Sequence, residues 1–454
     1  MMNKATVTEY LDKDYREYAT YVIESRAIPS VIDGLKPTQR KVVYIADKVW
    51  KNGTEKPYKV FQLTGRIAAD AHYHHGDASL NSAIIGMAQK FKNSMPLLQE
   101  IGQFGSLRSP EAGAPRYVST KLHENFRLLY KDFELLSPRH EEGSQIEPEY
   151  FLPIIPTVLL NGSSGIAVGF ATNILNRNPL DLIECCLREL NGKRFKEPAP
   201  WINGFNGEVV TNEDSDAKSA WLFRGKYAVK NTTTIDITEL PPSVTYEKFD
   251  KYLNDLEDSR RIATYENNCK SDINYTIKLS RSDMSGLGVG DKLKRFLKME
   301  ERQTENFTVL DETGTLMIFE TASEIIKYFV AFRMKYYIKR KAFIIDKLKK
   351  ELIFLSNKAR FIKMIIDGKI KINNVARQKI IDVLTKEKFD EIDGSYGYLL
   401  SMPIHTLTKE KYEELLRQEA EKNKELIEMK KVQPIDMYTG DLNDLKRVLK
   451  KEYN

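Results

Sequence analysis

Residues 323–366 run for 44 positions without proline or glycine, and their apolar members recur roughly at helical spacing: Ile325, Ile326, Phe329, Val330, Phe332, Ile338, Ile344, Ile345, Leu348, Leu352 and Leu355. The pattern predicts a single helix of about twelve turns. A second helical run from about Lys409 to Lys431, bracketed by Pro403 and Pro434, predicts an antiparallel partner for it. Long helices without a wide apolar face suit a spacer or arm as well as a bundle. Upstream the texture changes to short β-type runs separated by turns, such as Thr232–Thr238 and Phe307–Leu310 ahead of Asp311-Glu-Thr-Gly314, which predicts an α+β region. The acidic stretch from His140 to Glu149 contains a proline and reads as an exposed link. Three divisions follow: residues 1–150, 151–322 and 323–454.

Composition narrows the class. The 454 residues are 41% hydrophobic and 30% charged, which sets aside disordered, collagen-like and transmembrane chains. The polar N-terminus carries no apolar core of a signal peptide, and three cysteines cannot build a disulfide framework, so a reduced, cytoplasmic setting is expected. The net charge is only +6, but residues 31–130 alone hold 14 Lys/Arg against 8 Asp/Glu. Residues 323–366 hold 12 against 3, by default a solvated face.

Several motifs resemble catalytic signatures and fail on spacing. His72, His74 and His75 invite a metal reading, yet Asp77 lies three residues after His74 and is followed by Ala78 rather than by a further histidine. Gly286-Leu-Gly-Val-Gly-Asp-Lys292 lacks the glycine before and the hydroxyl residue after the lysine that a phosphate loop requires. Asp214 and Asp216 follow no apolar strand. What remains is a set of basic segments interleaved with glycine and aromatic residues. In Asp33-Gly-Leu-Lys-Pro-Thr-Gln-Arg-Lys41, a turn places Lys36 and Arg40 at a helix start, which suits phosphate contacts.

Five of these segments, in order, carry a resemblance: Ser25-Arg-Ala-Ile-Pro-Ser-Val-Ile-Asp-Gly-Leu-Lys-Pro-Thr-Gln-Arg-Lys41, Tyr73-His-His-Gly-Asp77, Gly102-Gln-Phe-Gly-Ser106, Pro115-Arg-Tyr-Val-Ser-Thr-Lys-Leu122 and Leu160-Asn-Gly-Ser-Ser-Gly-Ile-Ala-Val-Gly-Phe-Ala-Thr-Asn173. The chain resembles the breakage-reunion, A-type part of type IIA DNA topoisomerases, and looks closest to the medium subunit of T-even-like bacteriophage enzymes. That resemblance implies a multidomain α+β chain: a winged-helix DNA-binding domain, an α/β tower domain, and a long antiparallel coiled-coil arm with a helical dimer gate. It implies that Tyr117 attacks a DNA phosphodiester and becomes linked to the 5′ phosphate. Phenols ionise near pH 10, so such a nucleophile needs a base or a positive field. Arg116 and Arg40 are the matched groups for charge on the phosphorus, and His75 for a phosphate contact or proton relay. Arg26, Lys36, Lys41 and His74 match basic positions expected to contact DNA. Ile166 matches the apolar wedge that enters between base pairs, at a stacking cost of a few kcal/mol.

The family's acidic Toprim residues and its GHKL-type ATPase have no counterpart here, so Mg²⁺ and ATP are expected on a partner ATPase/Toprim subunit. The expected assembly is a homodimer of this chain with such partners on double-stranded DNA, away from membranes and, if viral, in the host cytoplasm. The chain ends soon after the gate helices without a β-pinwheel, which favours relaxation or decatenation over negative supercoiling. Where bacterial gyrase-type enzymes carry a serine and, four residues on, an acid that anchor quinolones, this chain has Ala78 and Ser82. An alternative function is a non-catalytic DNA-bending or clamp protein of the same fold, which would leave Tyr117, Arg116, Arg40 and His75 together unexplained.

Overall fold

The computed structural model describes residues 10–51, 56–270, 272–288, 290–372, 374–451 and 453. Two compact units emerge from the contacts, one comprising the chain up to Arg333 with the segment from Thr439 onward, the other Met334–Tyr438.

In the first unit, helices α1 (Pro37–Val49), α2 (Val60–Asp70) and α3 (Asp77–Ala88) pack on one another. Each contributes apolar residues at helical spacing: Val42, Val43, Ile45 and Ala46 from α1, Val60, Leu63 and Ile67 from α2, and Leu80, Ile84 and Met87 from α3 are all buried. Pro37 opens α1, where its missing N–H costs nothing, and the Lys36 N–H just before it is taken by Gln39 Oε1 at 2.9 Å. A two-stranded antiparallel ribbon, β1 (Tyr58–Lys59) with β2 (Ser119–Thr120), lies at the start of α2.

The stretch expected to be an exposed link is a hairpin. Strands β3 (Arg139–Glu141) and β4 (Ser144–Ile146) pair through a two-residue turn in which Glu142 and Gly143 both take positive φ, the geometry of a tight hairpin turn. Glu147 is only 2% exposed and pairs with Lys41 at 3.0 Å, while Tyr130–Lys131 pairs with Leu152–Pro153. The run of acids misled because one of them is buried and paired rather than solvated.

A second hairpin, β5 (Ser163–Ile166) and β6 (Ala171–Ile174), follows. Gly165 in β5 has no room for a side chain, since a Cβ there would lie 2.2 Å from the Ala27 carbonyl oxygen. Beyond it stand a three-stranded sheet, β7 (Glu208–Thr211), β8 (Ala220–Arg224) and β13 (Glu300–Thr304), and a four-stranded one, β9 (Lys226–Val229), β10 (Thr234–Glu239), β11 (Thr264–Asn267) and β12 (Tyr275–Lys278), in the order β9-β10-β12-β11. The inward residues Ile235, Ile237, Tyr275 and Ile277 bury against Phe249, Leu253 and Leu256 of α4 (Tyr246–Asp258). The hairpin β14 (Phe307–Leu310) with β15 (Leu316–Phe319) precedes the long helix.

That helix, α5 (Ala322–Ile366), is 45 residues without interruption. Within the second unit it runs antiparallel to α6 (Lys409–Lys431): Lys341 Nζ donates to the Lys430 carbonyl at 3.0 Å, Lys422 pairs with Glu351 at 3.6 Å, and Ile362 packs with Leu415. A small helical cluster around Phe361, Ile380, Leu384 and Leu399 forms a core of its own.

Candidate active site

Tyr117 sits in the turn that precedes β2, and its side chain is 70% exposed. The turn is held from both sides. Behind it, Val118 is buried, and the Tyr117 N–H donates to the Ala114 carbonyl at 2.8 Å. In front, three successive residues at the start of α2 reach it: Lys59 Nζ donates to the Tyr117 carbonyl at 2.9 Å, the Val60 N–H to that of Val118 at 3.1 Å, and the Phe61 N–H to that of Pro115 at 3.2 Å. The N–H groups at a helix start lack partners within the helix, so Val60 and Phe61 are free to bind this turn. Arg116 lies over the Tyr117 ring with its guanidinium carbon 5.3 Å from the centroid.

The other basic positions fall into different surroundings. His75 accepts or donates a hydrogen bond with Tyr21 Oη at 3.0 Å, and burial, with Arg26 and His74 adding to it, lowers its pKa. Arg26 is exposed in the helical turn before Ala27. His74 is exposed and lies 3.6 Å from Glu141, at the hairpin tip. A cavity of about 570 Å³ is lined by Arg40, Lys41, His74 and His75, together with Tyr21, Glu147 and others. Arg116 and Tyr117 do not line it. Lys36 lines a separate cavity of about 370 Å³ with Lys92; its Nζ donates to the Ser164 carbonyl of β5 at 2.7 Å, and burial lowers the pKa of both lysines. Ile166, at the end of β5, is 87% exposed, more so than Ile404 at 74% or Ile318 at 63%.

Two residues expected to meet DNA phosphates also have partners within the chain. Arg40 is 5% exposed, and its guanidinium is engaged by Asp33 through Nε at 2.7 Å and Nη2 at 3.0 Å, with Nη2 also on the Leu35 carbonyl. Lys41 donates to the Ala71 carbonyl and pairs with Glu147. The motif's acid explains the pairing: a buried Asp33 requires a cation, and Arg40, seven positions on and in the first turn of α1, is the one within reach. Asp33 also accepts the Leu35 and Phe151 N–H groups, and its carbonyl takes Tyr130 and Thr157 hydroxyls. Asp33, Lys59 and Tyr21 are the functional neighbours that reading the sequence missed. Asp33 was visible within the matched motif, whereas nothing in the spacing linked position 59 to 117 or 21 to 75.

The family model for the DNA gyrase/topoisomerase IV A-type subunits matches residues 26–443. The chain belongs to this family. It is 33% identical over 499 residues to DNA topoisomerase 2 of Arabidopsis thaliana, covering 99% of this chain and 33% of that protein, and 33% identical to DNA topoisomerase 2-alpha of Rattus norvegicus over 96% of this chain and 31% of that one. Among solved structures, the Plasmodium falciparum topoisomerase II DNA-binding, cleavage and re-ligation domain superposes with a TM-score of 0.84 at 32% identity, covering 98% of this chain and 64% of that one. The gyrase A-like chain thus spans about a third of the length of these curated relatives, and it is homologous to the cleavage and religation region of type II topoisomerases. Among the described residues no helix is long and apolar enough to cross a membrane.

Proposed function

We propose that this chain is the DNA-cleaving and rejoining part of an ATP-dependent type II topoisomerase of the T-even-like phage kind, with Tyr117 as nucleophile. The observation that carries the reading is an exposed tyrosine on a loop fixed from both sides, flanked by Arg116, in a chain of this family. The phenol oxygen of Tyr117 attacks a backbone phosphorus, the bond to the 3′ oxygen breaks, and a 5′-phosphotyrosyl link with a free 3′ hydroxyl results. Arg116 swings from the ring to the phosphate, where a fixed positive charge favours the transition state over the ground state. His75, with its pKa lowered, is neutral at physiological pH and can accept a proton or bond a phosphate. Arg40 keeps Asp33 neutralised and thereby holds the Asp33–Lys41 turn, while Lys36, Arg26 and His74 contact the backbone of the bound duplex.

Ile166 enters between base pairs and kinks the DNA; the exposed apolar tip supports this, because the wedge is already outside the core. Helices α1 to α3 with the β1–β2 ribbon serve as a winged helix, residues 151–322 as a tower, and the α5–α6 pair as a coiled-coil arm leading to a dimer gate. Residue divisions at 150 and 322 belong to this reading. Two copies act with ATPase/Toprim subunits in the cytoplasm of the host. Mg²⁺ held by the partner subunit, which would also bind ATP, would supply Lewis-acid assistance to the leaving oxygen. Relaxation or decatenation is the outcome.

The test is cleavage of supercoiled DNA by the complex with its ATPase/Toprim subunit, Mg²⁺ and ATP, stopped with detergent. Wild type should yield a covalent protein–DNA adduct and Tyr117→Phe none, with DNA binding retained. An adduct surviving in Tyr117→Phe would sink the assignment of the nucleophile, and none in wild type would favour a DNA-bending protein.

A further inference from the structure

The start of α2 makes a clamp on the loop of Tyr117, and one of its three bonds differs from the others. Val60 and Phe61 hold the loop by main-chain N–H groups, as any residues there except proline could. Lys59 holds it by a charged side chain, and the carbonyl it grips belongs to Tyr117 itself. Position 59 has a fixed base, since it pairs with Ser119 in the β1–β2 ribbon and its N–H is taken by Gln62 Oε1 at 3.0 Å. Val118 fixes the peptide on its inner side. The Tyr117 carbonyl reports the orientation of the peptide that follows the tyrosine, so gripping it limits the swing of the residue carrying the phenol. With one of its three N–H groups on the carbonyl, the ammonium also leaves a positive charge next to the nucleophile's backbone.

We infer that Lys59 is a positioning residue for cleavage, holding Tyr117 in attack geometry through its carbonyl without touching the reacting phosphate. The inference rests on Tyr117 being the nucleophile proposed above. A misplacement of about 1 Å at a reacting group costs on the order of 100-fold in rate, so a loosened Tyr117 should show in the chemical step. Arginine can keep the donor and the charge, whereas methionine keeps the apolar stem and loses both.

The experiment measures adduct formation in a single turnover at saturating DNA, together with duplex affinity, for the complex with its ATPase/Toprim subunit carrying wild type, Lys59→Met or Lys59→Arg. Lys59→Met should form adduct about 100-fold more slowly, with affinity within about 3-fold of wild type, and Lys59→Arg should recover most of the rate. A Lys59→Met rate within about 3-fold of wild type overturns the inference. So does a loss confined to affinity, which would make Lys59 a plain phosphate contact. Failure of Lys59→Arg to recover any rate while remaining folded also counts against it. If wild type forms no Tyr117-linked adduct, the function proposed above falls, and this inference with it; a wild-type adduct with an unaffected Lys59→Met sinks the inference alone.

Discussion

Arg40 and Arg116 come from the same basic part of the chain, and burial separates their roles. Arg116 is free to move from the Tyr117 ring, whereas Arg40 is locked onto Asp33. Removing one member of a buried pair leaves the other charge uncompensated, so Asp33→Asn should destabilise the first unit by about 3–5 kcal/mol, read as a lower denaturant midpoint. His75 provides a pH signature. Its folded pKa lies below the ordinary value of about 6.5, so on acidification the unfolded chain takes up this proton first. The contribution to stability is therefore complete above about pH 6.5 and lost as the pH falls below it. The acid limb of the cleavage rate should also fall below that pH, and His75→Ala should remove the limb in a pH–rate profile. Ser82 Oγ turns back to the Ala78 carbonyl at 2.9 Å, and neither position offers an acid to a quinolone's metal. Weak quinolone poisoning is expected of the wild type, with stronger cleavage-complex formation in an Ala78→Ser, Ser82→Glu double variant; strong poisoning of wild type, undiminished by changes near Ala78, contradicts this.

At the scale of elements, periodicity located what local physics controls. The 45-residue α5 and the 23-residue α6 match the expected runs because neither contains a breaker and both carry apolar residues at helical spacing. Among the contacts that pair them, buried Leu415 packs with Ile362 and Ala359. Leu415→Ala should therefore cost about 2–4 kcal/mol locally, seen as faster proteolysis within Met334–Tyr438. The hairpins were harder to read. The strands of β3–β4 are three residues each and polar at all but Ile146, and the wider stretch from His140 to Glu149 is acidic, so composition pointed to a link. Ile166→Ala on the β5–β6 hairpin should leave the fold intact, since the side chain is exposed, and reduce bending of an end-labelled duplex measured by energy transfer.

For the whole molecule, the match across residues 26–443 and the TM-score of 0.84 place nearly the entire described chain in one architecture. The proposed division of labour with a partner makes a direct prediction. The purified chain should bind duplex DNA with a steep salt dependence yet form no detectable adduct, and addition of the ATPase/Toprim subunit should restore cleavage in a detergent-trapping assay. Adduct formation by the chain alone would contradict the dependence on a partner.

The sequence by itself determined the long helices, the α+β character of the middle and the five ordered motifs, because each depends on residues close together in the chain. Tertiary structure alone decided which charges are buried. Asp33 and Glu147 each pair with a cation of the basic motif, since a carboxylate withdrawn from water must be paired. It alone brought Lys59 to Tyr117 and Tyr21 to His75, because antiparallel pairing and helix packing join positions 58 and 54 residues apart, a separation on which no local pattern reports.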